Sequence, residues 1–252
     1  MTGASAPGWY GKLPTLGDFA SRRLEPAFIE PWDAWLADGL AAQRAALGGG
    51  WVRAYLHSPA WRFVLMPGVI GAGRARPAWG GVLMPSVDQV GRYFPLTLAA
   101  PLPALPADAG EVERLLDWLQ RLEDVAVDAM QDDWDIERLE AVLAPLAPAW
   151  TVPLGATVDA GPGALGRALD GSGGFVDLAG VRNRADLASE VASAFGRHAG
   201  DAWQQAAAGW TFWLADHPTQ PRLLVRRGLP GRDDVVQMLG ASSRDADATT
   251  LF

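Results

Sequence analysis

The run WRFVLMPGVIGAGRARPAWGGVLMPSVDQVGRYFPLTLAAP, residues 61–101, sets the architecture. It contains three short stretches of bulky apolar residues, Trp61–Met66, Trp79–Met84 and Tyr93–Ala100, which run into Pro67-Gly68, Pro85 and Pro101. Apolar runs of this length bounded by Gly or Pro read as strands. The segments between them are too short for crossover helices, so the strands pair antiparallel.

Upstream, Gly8–Pro14 alternates weakly and runs into Pro14-Thr15-Leu16-Gly17-Asp18, a short strand followed by a loop. From Glu25 to Leu47 the pattern is helical, with Phe28, Trp32, Trp35, Leu36, Leu40 and Leu47 near one face. Pro26 and Pro31 fit only in a first turn, and Gly48, Gly49 and Gly50 stop the helix.

Downstream of the Pro-rich segment 101–110, an apolar stripe from Val112 to Ala129 predicts a long helix. The acidic knot Asp132-Asp133-Trp134-Asp135 ends it and caps a second helix through Leu143. Residues 145–183 are rich in Gly and Pro and lack periodicity. A further helix is expected from about Arg184 to Arg197, and a hairpin of Trp210–Ala215 with Arg222–Arg226 around His217-Pro218. The result is an α/β (α+β) chain: one mixed domain over residues 8–240, with a mainly antiparallel sheet of five or six strands packed by three to four helices. Residues 241–252, polar throughout most of their length, are expected to form a loose tail.

Composition narrows the function. The 252 residues include no cysteine, which removes disulfides, thiolate catalysis and zinc-thiolate sites. The N-terminus lacks the charged and apolar regions of a signal peptide, and no run approaches the roughly 18 apolar residues of a membrane span; a soluble, cytoplasmic protein without membrane insertion is expected. Net charge is −8, which disfavours nucleic acid unless a basic groove gathers arginines such as Arg22, Arg23, Arg74, Arg76, Arg226 and Arg227. Twelve tryptophans are unusual. They suit cores and protein interfaces alike, because a large apolar ring carries one polar N–H.

Catalytic motifs are missing. His57, His198 and His217 have no metal-ligand spacing. Gly71-Ala72-Gly73 lacks the third glycine of a dinucleotide loop and reads as a tight turn. Lys12, the one lysine, is not in a Walker-type loop, and Gly171-Ser172-Gly173-Gly174 reads as a flexible loop, not a nucleophile elbow. Asp132, Asp133 and Asp135 lack the glycine and distal glutamate of a calcium loop. No catalytic residue, metal or cofactor is expected.

Three segments carry a family resemblance. GWYGKLPTLGDF at 8–19, with SRRL at 21–24 and EPWDAWL at 30–36, resembles the N-terminal signature of the TagF/ImpM proteins of type VI secretion systems. LMPSVDQVGRYFPLTLA at 83–99 resembles the family's P-S-x-D-x-x-G-R-x-F-P-L pattern, and WTFWL at 210–214 its Trp-rich strand. The resemblance implies a non-enzymatic, post-translational repressor whose partner is a forkhead-associated scaffold protein. Some relatives are fused to a phosphatase domain; none is expected within this sequence, which also shows no phosphatase metal motif.

Candidate partner-binding residues are Trp9, Lys12, Asp18, Arg22, Arg23, Arg92, Trp210 and Trp213. The expectation is an exposed aromatic and arginine surface near Trp9–Arg23 or near Trp210. Arg92 suits a structural clamp better than a ligand grip. Trp210 and Phe212 should lie on one side of their strand and Trp213 on the other, either as a patch or inside a sheet covered on both faces. The alternative is a small-ligand or nucleotide-binding regulatory module in which Lys12, Asp18 and Arg92 line a pocket where two loops converge.

Overall fold

The computed structural model describes residues 5–70, 77–106, 109–148, 173–176, 178, 181, 183, 186–191, 208–216 and 221–240. Its centre is one eight-stranded sheet. The strands are β1 (Gly8–Gly11), β2 (Ala20–Arg22), β3 (Trp61–Leu65), β4 (Trp79–Met84), β5 (Leu96–Pro101), β6 (Gly174–Val176), β7 (Trp210–Ala215) and β8 (Arg222–Arg227). They lie in the order β2-β1-β5-β4-β3-β7-β8-β6, and every neighbouring pair is antiparallel. The three central runs form the β5-β4-β3 meander that their short connections require. The strand count exceeds the five or six read from sequence, because β2 and β6 have three residues each and too little length for an alternating pattern. The strand read from Tyr93 begins at Leu96, since Tyr93 makes only an isolated bridge to Val87.

Helices cover both faces. On one side pack α1 (Pro26–Leu47), a 3₁₀ turn (Gly48–Gly50), α2 (Trp51–Leu56) and α5 (Arg232–Met238). On the other lie α3 (Ala109–Gln131), α4 (Ile136–Leu143) and a helical stretch at 186–191, the described part of the helix expected from Arg184 to Arg197. Pro31 sits inside α1 rather than in its first turn, and Leu47 is 37% exposed rather than on the buried face. Gly71–Gly73, Arg74, Arg76, Gly171-Ser172, His198, His217-Pro218 and the 241–252 tail lie outside the described residues.

Strand alternation divides the core into two layers. Trp9, Val64, Val82, Leu98, Trp210, Phe212 and Val225 join the α3–α4 side. Tyr10, Phe63, Leu83, Trp213 and Leu224 join Phe28, Trp32 and Leu36 of α1 on the other. The layer against α1 is aromatic: Trp213 lies 5.2 Å from Phe63, 5.3 Å from Trp35 and 5.9 Å from Trp32, ring centroid to centroid. The close α1–α5 contact depends on Gly39, where a Cβ would stand 2.6 Å from Val235.

Candidate functional site

The two signature segments meet at one end of the sheet. The loop after β1 carries Lys12–Phe19, and the loop before β5 carries Ser86–Phe94. The second loop is a turn organised by Asp88. Its Oδ1 accepts the backbone N–H groups of Val90 (3.1 Å) and Arg92 (2.8 Å), and Gly91 supplies the positive φ of +80° that the turn needs. The Asp88 Oδ2 accepts from Lys12 Nζ at 2.5 Å and Arg92 Nε at 2.7 Å. Burial alone would raise the Asp88 carboxyl. Hydrogen bonds from Lys12 and Arg92 outweigh that effect and hold it well below the usual carboxylate range.

The same groups tie the loops together. Arg92 Nη2 donates to the Gly17 carbonyl, and the Gln89 N–H donates to the Leu16 carbonyl at 3.0 Å. Ser86 Oγ donates to the Lys12 carbonyl at 2.6 Å. The Tyr55 hydroxyl accepts from the Ser86 N–H at 2.9 Å and donates to the Ser86 carbonyl at 3.0 Å, and burial pushes its pKa up. Thr15 Oγ1 donates to the Trp134 carbonyl at 2.9 Å, anchoring the first loop on the α3–α4 connection. The pattern P-S-x-D-x-x-G-R-x-F-P-L therefore encodes a clamp: Ser86 fixes the loop's start, Asp88 its turn, and Arg92 its grip on the neighbour.

Above the clamp the loops present apolar side chains. Phe19 is 45% exposed and Val90 66%. Phe19 packs edge-on against Phe94 at 4.8 Å, and Lys12 Nζ lies 4.3 Å from the Phe19 ring centroid. The aromatic contact continues at the loop's base, where Tyr93 meets Trp51 at 5.4 Å and Tyr55 at 5.9 Å.

The sequence candidates divide sharply. Lys12 and Arg92 converge on Asp88, and Arg92 bridges the two loops. Asp18 is exposed beside them and accepts the Phe19 N–H. Arg22 is exposed on edge strand β2. Arg23, in the left-handed region at φ +59°, pairs with Glu140 and the Pro7 carbonyl. Trp9, Trp210 and Trp213 are 0%, 3% and 0% exposed, so they form no exposed aromatic surface. The sheet is covered on both faces there. Trp9 Nε1 donates to Glu140 at 2.6 Å, linking β1 to α4. Phe19 and Val90 were not singled out in the sequence; each is a large apolar residue within a loop of Gly, Asp and Arg, the one signal available.

Lys12, Asp88 and Arg92 face one another. Asp88 holds the position that an anionic ligand would need to reach Lys12. Among the described residues no group of three or more His, Cys, Asp or Glu could hold a metal ion, and no helix is long and apolar enough to cross a membrane. Fold and site thus define a mixed α+β domain with one antiparallel sheet, whose signature residues rigidify an exposed two-loop tip.

Residues 8–146 match the family model described as the TagF N-terminal domain, type VI secretion system-associated, and the chain belongs to that family. It is also similar in structure to PA0076 from Pseudomonas aeruginosa PAO1, known from a crystal structure. Identity is 33% and the TM-score 0.65, with 94% of this chain and 96% of that one covered. No curated protein matches it.

Proposed function

We propose that this protein is a non-enzymatic, post-translational repressor of a type VI secretion system, acting by binding a forkhead-associated scaffold protein in the cytoplasm. The observation that supports this most is the two-loop tip. Lys12, Ser86, Asp88 and Arg92 hold the loops together, and Phe19 and Val90 stand outward from them. Exposed apolar side chains on a rigid frame serve docking, because little conformational entropy is lost when a partner covers them.

The test is a binding titration of the full chain against the scaffold protein, with Phe19→Ala and Val90→Asp variants. Loss of binding in variants that melt like the parent supports the reading. Failure of the unmodified chain to bind the scaffold refutes the partner assignment.

A further inference from the structure

We infer that the partner segment received at this site is acidic and carries an apolar anchor, and that it docks on the corner formed by the end of α1 and by α2, beside the two-loop tip. The inference rests on the reading above, since it names the chemistry of that same partner.

The sequence is lopsided there. In a chain of net charge −8, no Asp or Glu occurs between Asp38 and Asp88, a span that includes Arg44, Arg53 and Arg62 among the described residues. Arg62 is buried and turned to the opposite layer, where it pairs with Glu123 at 3.1 Å and Asp216 at 2.6 Å. Arg44 and Arg53 remain exposed at the corner, and neither has a carboxylate partner among the described residues.

The corner also has an apolar floor. The Arg44 guanidinium lies 4.3 Å from the centroid of the half-buried Trp51 ring, which meets Tyr93 at 5.4 Å. Leu47 at the end of α1 and Leu56 at the end of α2 are 37% and 50% exposed. Tyr93 belongs to the Ser86–Phe94 loop, so the corner is continuous with the tip.

The Arg44 guanidinium stacked on the Trp51 indole, with exposed Arg53, Leu47 and Leu56 on the same short segment, complements a carboxylate-bearing segment with an aliphatic or aromatic side chain. An anionic membrane is the other candidate, but such surfaces call for clusters of about four to eight basic residues. Here there are two arginines, one of them stacked on an indole between exposed leucines, the pattern of a protein interface.

The experiment titrates the full chain against the forkhead-associated scaffold from about 0.05 to about 0.3 M salt. It compares the parent with Arg44→Glu/Arg53→Glu, Arg44→Gln/Arg53→Gln and Arg44→Lys/Arg53→Lys. Arg121→Glu, exposed on α3 in the opposite layer, is the control. Both arginines lie in the last turns of their helices, where reversal opposes the helix dipole. The neutral pair therefore keeps the test open should the reversed pair melt early.

Weakening of about tenfold or more in the reversed pair, less in the neutral pair, with a flattened salt dependence and near-parental binding by the Lys pair and the control, supports the inference. Parental affinity and salt dependence in the reversed and neutral pairs overturn it while leaving the reading above intact. No binding by the parent chain overturns both. A parallel arm uses phosphatidylserine vesicles: if the charge variants lose vesicle binding but keep the scaffold, the corner is a membrane surface and the inference fails.

Discussion

Lys12 and Asp88 lie 76 positions apart and meet at 2.5 Å with both side chains buried. Taking two charges out of water is costly, and such a pair persists only when the remaining hydrogen-bonding capacity is filled. Here the Arg92 side chain and two backbone N–H groups fill that of Asp88, and the Lys12 ammonium lies 4.3 Å from the centroid of the Phe19 ring. The pair's contribution is one of geometry. It fixes the β1 loop against the β5 loop, and it separates the tip from an open anion site in which Lys12 would be free.

The first prediction concerns acid. Because the folded Asp88 pKa is depressed, its ionised form adds stability that is complete above the unfolded carboxylate range, near about pH 4. That stability is lost as pH falls from there through the lower, folded value. Glu140, also held low by Arg23 and Trp9 against the effect of burial, adds in the same direction. Asp88→Asn should lower the melting temperature at neutral pH and flatten its fall below about pH 4. Melting curves from pH 7 to pH 2 check this. An unchanged acid slope would remove Asp88 from the account.

A second prediction concerns a cap that the sequence displayed openly. Asp135 precedes α4 with extended backbone, and its carboxylate accepts the Arg138 N–H at 2.8 Å. Asp135→Ala should cost about 1 kcal/mol in chemical denaturation, and Asp135→Ser much less. Equal losses in both would mean that the carboxylate acts otherwise.

Legibility followed the range of the interaction. Local patterns revealed α1, α3, α4, the β3–β4–β5 meander and the two faces of β7, because hydrophobic periodicity and capping act over a few residues. Short elements such as β2, β6, α2 and α5 were missed, since each has 3 to 7 residues, too few to display a period of its own. At the site, Lys12 and Arg92 could be nominated by residue type. Their shared attachment to Asp88 could not, because it depends on a contact across 76 positions. Trp9, Trp210 and Trp213 misled for the converse reason. Tryptophan suits a core and an interface equally, and only the second helical layer decides between them.

The third prediction separates propensity from packing. In an exposed helix Gly→Ala would stabilise by about 1 kcal/mol. At Gly39 the new Cβ meets the stiff, β-branched Val235 at 2.6 Å, between helices that cannot both keep their positions. Gly39→Ala should be net destabilising, by about 1–3 kcal/mol. Combining it with Val235→Ala should recover part of the loss relative to the sum of the single changes. A double-mutant cycle with no coupling would show that the helices move apart freely.

The fourth prediction distinguishes the core from the tip. Trp213 is enclosed by Trp32, Trp35 and Phe63, so Trp213→Ala should destabilise by about 3–5 kcal/mol. Any lost binding would then follow from lost folding. Val90 is 66% exposed, so Val90→Asp should change stability by less than about 0.5 kcal/mol. It should nonetheless weaken scaffold binding, because a carboxylate there must be desolvated in the complex without a fixed partner. Denaturation and binding measured on the same two preparations check both halves. If Val90→Asp binds like the parent, the tip is not the contact, whatever Trp213→Ala does. If Trp213→Ala melts like the parent yet fails to bind, the aromatic layer has a role in recognition that its burial does not suggest.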